Sequence, residues 1–198
     1  MKQSGMLRRG AWLWEFAVLI LACAAPANGE PRAIDAAKSV MTVHVCKAGV
    51  LSAFGHDHEI DAPIARGSVD VEGRKVELHV DARALRVRDP KASDKDRREI
   101  QANMLGPDVL DAENHREIAF QSTRIEAAGP GAWKVSGDLT LHGETRPASV
   151  EVQERGGRYS GACRFKITDF GIKPVRAAGG AIRVKDEVQM EFDIQLAR

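Results

Sequence analysis

The sequence is poor in cysteine, in aromatic residues and in net charge. It has three cysteines, one tyrosine, three tryptophans and six phenylalanines among 198 residues, and its formal net charge is +1. So few cysteines exclude a disulfide-rich scaffold, and the balanced charge gives no support to a nucleic-acid-binding protein. The sequence also lacks the H-E-x-x-H and paired C-x-x-C patterns of zinc sites, the glycine-rich phosphate loop and the nucleophile elbow. We therefore predict a protein that is not an enzyme and uses no cofactor.

Residues 1–27 are typical of a secretory signal peptide. Lys2, Arg8 and Arg9 are positively charged, residues 11–25 are mostly apolar, and Ala-Pro-Ala at residues 25–27 offers a cleavage site. The apolar run is too short to favour a permanent membrane span. Two alternatives stay open, an uncleaved anchor helix and a lipidated N-terminus at Cys23.

Cleavage after residue 27 leaves residues 28–198 as one domain. These 171 residues carry 26 basic and 27 acidic side chains and are enough for a substantial core. The predicted location of the domain is periplasmic or secreted, with no stable membrane span after cleavage.

Strict alternation of apolar and polar residues predicts eight β-strands. The clearest hairpin has Trp133, Val135, Leu139 and Leu141 on one face, and a glycine-containing link leads to the next strand. A polar helix is predicted over residues 94–105, with Ser93 as its cap. The predicted strands are 39–47, 64–71, 75–85, 116–126, 133–141, 148–153, 158–168 and 186–197.

Eight strands without a βαβ rhythm indicate an antiparallel sheet that closes into a barrel, with a sandwich as the alternative. Small inward residues favour a cavity in that barrel; these are Ala82, Ala84, Ala119, Gly137 and Gly161. The same alternation turns Cys163 inward and Cys46 outward, so a disulfide between them is not favoured.

Three blocks of sequence resemble a known family. Residues 135–147 read V-S-G-D-L-T-L-H-G-E-T-R-P, residues 165–172 read F-K-I-T-D-F-G-I, and residues 118–122 read I-A-F-Q-S. In this order they resemble the YceI-like polyisoprenoid-binding proteins, over roughly residues 34–197. The resemblance implies an exported, non-catalytic protein. Its expected fold is all-β, an eight-stranded antiparallel lipocalin-like barrel with one short helix insertion.

The resemblance also implies a long apolar pocket for a polyisoprenoid or an isoprenoid quinone. Such a chain is almost wholly apolar, so its pocket needs inward side chains with few polar groups. For each inward residue the alternative role is packing in the hydrophobic core. Whether the protein forms a homodimer is left open. The ligand-binding candidates are Val43, Val45, Phe54, Phe120, Leu139, Leu141, Phe165, Ile167 and Phe170.

Residues 54–59, F-G-H-D-H-E, form the stretch richest in side chains that can titrate or bind a metal ion, and they depart from the family pattern. His56 and His58 face the same way in an extended segment, and with His142 they are predicted at the rim of the barrel. Three roles stay open: hydrogen bonds to backbone carbonyls, contact with a polar head group, and metal binding completed by His142 or His44. Two histidines are too few for a zinc site, so no metal is assigned. The alternative functions are a metal-binding or metal-assisted barrel and a filled barrel that acts as an envelope interaction module.

Overall fold

One antiparallel sheet contains nearly all the regular structure of the described residues. The computed structural model describes residues 30–48, 57–177 and 182–197. The predicted signal peptide, Cys23, Phe54 and His56 therefore lie outside the described residues. The strands are β1 (Arg32–Ala33), β2 (Val40–Ala48), β3 (His58–Asp61), β4 (Ile64–Asp70), β5 (Lys75–Asp81), β6 (Arg86–Val87), β7 (Glu117–Gly129), β8 (Ala132–Leu141), β9 (Glu144–Arg155), β10 (Arg158–Lys166), β11 (Arg176–Ala177) and β12 (Ile182–Gln195).

The sheet curls into a lipocalin-like barrel. Its strand order is β1-β4-β5-β7-β8-β9-β10-β12-β2-β3-β6, with β11 beside β12. Because β3 pairs with β2, β4 pairs with β5, and only Ala62 and Pro63 separate β3 from β4, the chain itself joins the two ends of the sheet. A bridge from Ile34 to Leu196 adds a second connection. The predicted all-β barrel is confirmed.

All eight predicted strands are present, but the described residues form twelve. The four additional strands, β1, β3, β6 and β11, have two to four residues, which is too short for alternation to be seen in a sequence. The strand predicted over 75–85 ends at Asp81, because Asp81 caps a 3-10 turn over Ala82–Ala84. The strand predicted over 158–168 ends at Lys166, where a 3-10 turn over Ile167–Phe170 begins.

The predicted helix is confirmed as α1 (Asp94–Leu105). The Ser93 hydroxyl accepts the Asp96 backbone N–H at 3.2 Å and donates to the Asp96 carboxylate at 2.7 Å, which is a capping interaction. The Gln101 side chain attaches the helix to the barrel, since it accepts from Val87 N–H and donates to the Leu85 carbonyl, both at 2.8 Å. Within the described ranges, no helix has the length and apolar character needed to cross a membrane.

The β8–β9 hairpin turns through only two residues, His142 and Gly143. Leu141 pairs with Glu144, and the two turn residues have φ values of 52° and 76°. Positive φ at both positions matches a type I′ turn, whose twist suits antiparallel strands. The hairpin predicted from the sequence is therefore confirmed, with a tighter turn than the alternation alone could indicate.

The inward glycines of the barrel do not leave empty space. A Cβ on Gly137 would lie 2.7 Å from the Phe120 ring, and a Cβ on Gly161 would lie 2.8 Å from the Phe192 ring. In each case a phenylalanine from a neighbouring strand covers the glycine. Ala82 and Ala84 belong to a 3-10 turn rather than to a strand. The expectation that small residues directly enlarge the cavity is thus corrected for these four, whereas Ala119 does line the cavity.

We expect the ion pair between Asp81 and Arg116 to make stability depend on pH in the acidic range. Arg116 Nε lies 2.9 Å from Asp81 Oδ2, and this hydrogen bond, together with those from Arg83, lowers the pKa of Asp81 from 3.8 to about 2. A lowered pKa means that the stabilisation is present above pH 3.8 and is lost as the pH falls towards 2. Urea unfolding midpoints across that range should therefore fall more for the wild type than for Arg116→Gln. Asp81→Asn is the control, and its midpoint should fall least of the three, because it also removes the carboxyl that accepts from Arg83, whereas parallel pH profiles for all three proteins would contradict the assignment.

Candidate ligand-binding cavity

A cavity of about 400 Å³ runs through the interior of the barrel, and its lining is almost entirely apolar. This volume lies within the range of pockets that hold small molecules in proteins. The cavity forms because the strands present one apolar face inward, while the charged residues alternate outward. The site is therefore the shared inner face of the sheet rather than one loop.

The cavity spans the barrel from end to end. Its helix end is formed by α1, the β8–β9 turn and the turn over Ile167–Phe170; its hairpin end is formed by the β4–β5 and β9–β10 turns. Val71 lines the hairpin end and is 54% exposed, and Val175 lines the helix end and is 42% exposed. Apolar lining residues thus reach the protein surface at both ends.

Most of the ligand-binding candidates lie on the cavity wall. Phe170 does not, because it is only 2% exposed and packs edge-to-face on Phe165 with ring centroids 5.7 Å apart. Phe170 therefore supports the wall from behind, and Phe54 lies outside the described residues. The candidates that line the cavity are Val43, Val45, Phe120, Leu139, Leu141, Phe165 and Ile167.

Further lining residues were not among the ligand-binding candidates. On the strands they stand in phase with the predicted candidates, so alternation could have found them. Those on α1 and the loops carry no such signal, because their contact with the barrel depends on the tertiary fold. Examples from both groups are Met41, Leu78, Val150, Met190, Phe192, Asn103, Met104, Leu110 and Ile172.

His58 is a polar residue on this apolar wall. Its Nδ1 lies 2.6 Å from Oδ2 of Asp89, a residue that is 3% exposed. The other carboxylate oxygen of Asp89 accepts the Glu59 backbone N–H at 2.8 Å, and the Asp89 carbonyl accepts from Arg97 at 3.2 Å. Asp89 therefore holds the imidazole ring of His58 in one orientation.

His142 has a different environment from His58. Its Nδ1 donates to the Phe170 carbonyl at 3.1 Å, and its ring contacts that of His115 at a centroid distance of 4.5 Å. The hydrogen bond from His142 to Phe170 ties the β8–β9 turn to the turn over Ile167–Phe170. His44 lies 3.7 Å from Glu191. Among the described residues, which do not include His56, no group of three or more His, Cys, Asp and Glu side chains could hold a metal ion.

The two described cysteines are free thiols on opposite faces of the sheet. Cys163 lines the cavity, as its alternation predicts, and Cys46 is not part of the wall. Burial raises the pKa of the Cys163 thiol to about 11. Since the thiolate is the reactive form, Cys163 has little nucleophilic character at neutral pH.

Comparison with known proteins identifies the family. The family model described as "YceI-like domain" matches residues 33–196. This chain belongs to the YceI-like family. Among curated relatives, a UPF0312 protein of Vibrio campbellii is 26% identical over 186 residues, covering 86% of this chain and 93% of the relative. A UPF0312 protein of Vibrio cholerae is 27% identical over 135 residues, covering 63% of this chain and 67% of the relative.

Solved structures show the same fold as this YceI-like domain. The crystal structure of Burkholderia cenocepacia BcnA has a TM-score of 0.59 at 20% identity, and the match covers 83% of this chain and 99% of that one. A mutant Campylobacter jejuni YCEI protein with a monobromobimane guest has a TM-score of 0.51 at 12% identity, covering 70% and 81%. At these identities the likeness concerns the fold alone.

The three sequence blocks that resemble the family meet in one region of this YceI-like domain. Residues 118–122 lie in β7, residues 135–147 form the β8–β9 hairpin, and residues 165–172 include the turn after β10. Phe120 covers Gly137 across the β7–β8 ladder, and the bond from His142 to Phe170 joins the hairpin to that turn. These blocks therefore hold the helix end of the barrel together.

Proposed function

We propose that this protein is an exported, non-catalytic barrel that binds an apolar lipid, such as a polyisoprenoid or an isoprenoid quinone, in its interior. The observation that carries the proposal is the continuous apolar cavity, which reaches the surface near Val71 and Val175. Membership of the YceI-like family, which is known as a polyisoprenoid-binding family, supports the choice of lipid.

The binding energy in this proposal comes from the hydrophobic effect. Each Å² of apolar ligand surface removed from water contributes about 25 cal/mol. A chain-like lipid suits the cavity because the lining extends along the barrel and offers few polar groups that would lose their hydration. The candidates Val43, Val45, Leu139, Leu141 and Phe165 would contact the lipid chain.

The proposal of export rests on the first 27 residues. Their charged, apolar and small-residue stretches follow one another in the order found in a signal peptide. The proposed location is therefore the periplasm or the extracellular medium. Mass spectrometry of the protein from fractionated cells tests this. A chain that begins near residue 28 in the periplasmic or secreted fraction supports export, and an uncleaved chain in the cytoplasmic fraction contradicts it.

Native mass spectrometry of the protein isolated from its own cells tests the ligand class. We expect an adduct with the mass of a lipid, which organic extraction removes and which is then identified as an isoprenoid in the extract. A bound metal ion would instead favour a metal-binding barrel. A bare mass that stays unchanged after incubation with isoprenoid lipids would contradict the proposal.

A further inference from the structure

The polar side chains on the cavity wall form two groups. His58, Asn103 and Lys173 lie towards the helix end, and Asp70, Trp133 and Tyr159 lie towards the hairpin end, while Ser149 is bonded to Ser136. A polar group of a ligand avoids the cost of an unpaired buried dipole only where the wall offers a partner. At the hairpin end the Asp70 carboxylate already accepts the Gly73 backbone N–H at 2.6 Å, and the Trp133 and Tyr159 rings pack against each other with centroids 6.1 Å apart. At the helix end Asp89 holds the His58 ring in one orientation, so this end offers the better-oriented partner for such a group.

We propose that His58, positioned by Asp89, determines ligand specificity by forming a hydrogen bond to a neutral oxygen on the ligand. The ligand class is an isoprenoid with a hydroxyl or carbonyl head group, such as an alcohol or a quinone. This inference rests on the proposed lipid-binding function and adds the orientation of the lipid, with its head at the helix end and its chain directed towards Val71.

The geometry of the pair leaves one ring nitrogen of His58 for the ligand. Nδ1 is engaged by Asp89 at 2.6 Å, and Nε2 has no hydrogen-bond partner in the part of the chain that the structure describes. With its proton on Nδ1, the neutral ring can accept a hydrogen bond at Nε2 from a hydroxyl; a protonated ring can donate one to a carbonyl. Asp89 is 3% exposed and has both oxygens engaged, so it acts through His58 and is a positioning residue.

The surrounding charges favour a neutral head group over a phosphate. The buried Asp89 carboxylate lies directly behind the imidazole and would repel a second anion. Nearby cations are already engaged: Arg88 is paired with two carboxylates, and Arg97 is held by Asp94 and by two backbone carbonyls. Of the lysines and arginines, only Lys173 lies on the described cavity wall, which is one cation against the several negative charges of a diphosphate.

Three probes separate the possibilities: geranylgeraniol, geranylgeranyl diphosphate, and phytane, a branched hydrocarbon without oxygen. We expect the purified processed protein to bind geranylgeraniol more tightly than either of the others. His58→Leu should weaken geranylgeraniol binding about tenfold, the usual worth of a hydrogen bond, and leave phytane binding within about twofold. His44→Leu, which changes a histidine that is not on the cavity wall, should leave both affinities unchanged.

A spectroscopic readout on the wild type covers the case in which His58→Leu does not fold. The ¹⁵N shifts of the His58 ring should change with geranylgeraniol and not with phytane. In Asp89→Asn the same spectrum should show a different tautomer balance before ligand is added, which a purely structural role would not produce. Tighter binding of the diphosphate, or equal binding of alcohol and hydrocarbon with unchanged His58 shifts, would overturn this inference alone. Failure of all three probes to bind would overturn the proposed lipid-binding function itself.

Discussion

Replacing Val150 with tryptophan should abolish most of the lipid affinity while the barrel stays folded. Val150 lies on β9 and lines the cavity, opposite Val135 in the β8–β9 ladder. An indole in the lumen would deny the lipid about 100 Å² of apolar contact, which costs about 2.5 kcal/mol at about 25 cal/mol per Å². We therefore expect geranylgeraniol to bind about 70-fold more weakly or worse, as measured by titration of intrinsic fluorescence or by calorimetry.

Glu151→Trp is the matched control for this substitution. Glu151 is the next residue on β9, is exposed and points to the outer face of the sheet. Glu151→Trp introduces the same side chain outside the cavity, so this variant should bind the lipid as the wild type does. Thermal unfolding should show that Val150→Trp is at least as stable as Glu151→Trp, because the indole fills existing space. Equal affinities of the two variants would mean that the lipid does not occupy the barrel interior.

The second large effect is expected from Gly137→Ala, which should destabilise the protein by about 3 kcal/mol. A methyl group at this position would lie 2.3 Å from the Gln121 carbonyl oxygen, 2.7 Å from the Phe120 ring and 2.8 Å from the Ser122 Cα. Two of these contacts are to the backbone of β7, so relief requires the strands to separate. Overpacking of this kind commonly costs about 1–3 kcal/mol, and a backbone clash lies at the upper end of that range.

Urea unfolding measures this loss, with Gly106→Ala as the comparison. A methyl group on Gly106, at the end of α1, would come no nearer than 3.2 Å to another atom, and its φ of −72° is open to any residue. Gly106→Ala should therefore cost much less than Gly137→Ala. If the two substitutions change the midpoint equally, the close packing of β7 on β8 at Gly137 is not what excludes a side chain there.

The long strands could be predicted because each has one buried face, and so they carry the alternation that marks a strand. β12 shows this best, since Val188 and Ile194 are nearly fully buried, as is Leu196 directly after the strand. The short strands could not be predicted. β3 and β6 have four and two residues, and they exist because β2 offers an edge to β3 and β3 in turn offers an edge to β6. That edge is a property of the tertiary fold.

The cavity wall was predictable from the same alternation, but its polar end was not. His58 stood out as a histidine, yet its partner Asp89 lies 31 positions away, in the segment between β6 and α1. Nothing in the local sequence connects the two. Asp57 and Glu59, the acidic neighbours of His58, direct their bonds elsewhere: the Asp57 carboxylate accepts the Lys47 backbone N–H, and Glu59 lies 3.9 Å from Arg88. Proximity in the sequence therefore does not identify the carboxylate that contacts His58.

The two covered glycines have a consequence for the shape of any guest. Because Gly137 and Gly161 have no side chains, the rings of Phe120 and Phe192 can recede into the wall, although both still line the lumen. A side chain at either glycine would overlap a benzyl ring that lines the lumen. The two glycines therefore contribute to the width of the channel by leaving space for these rings.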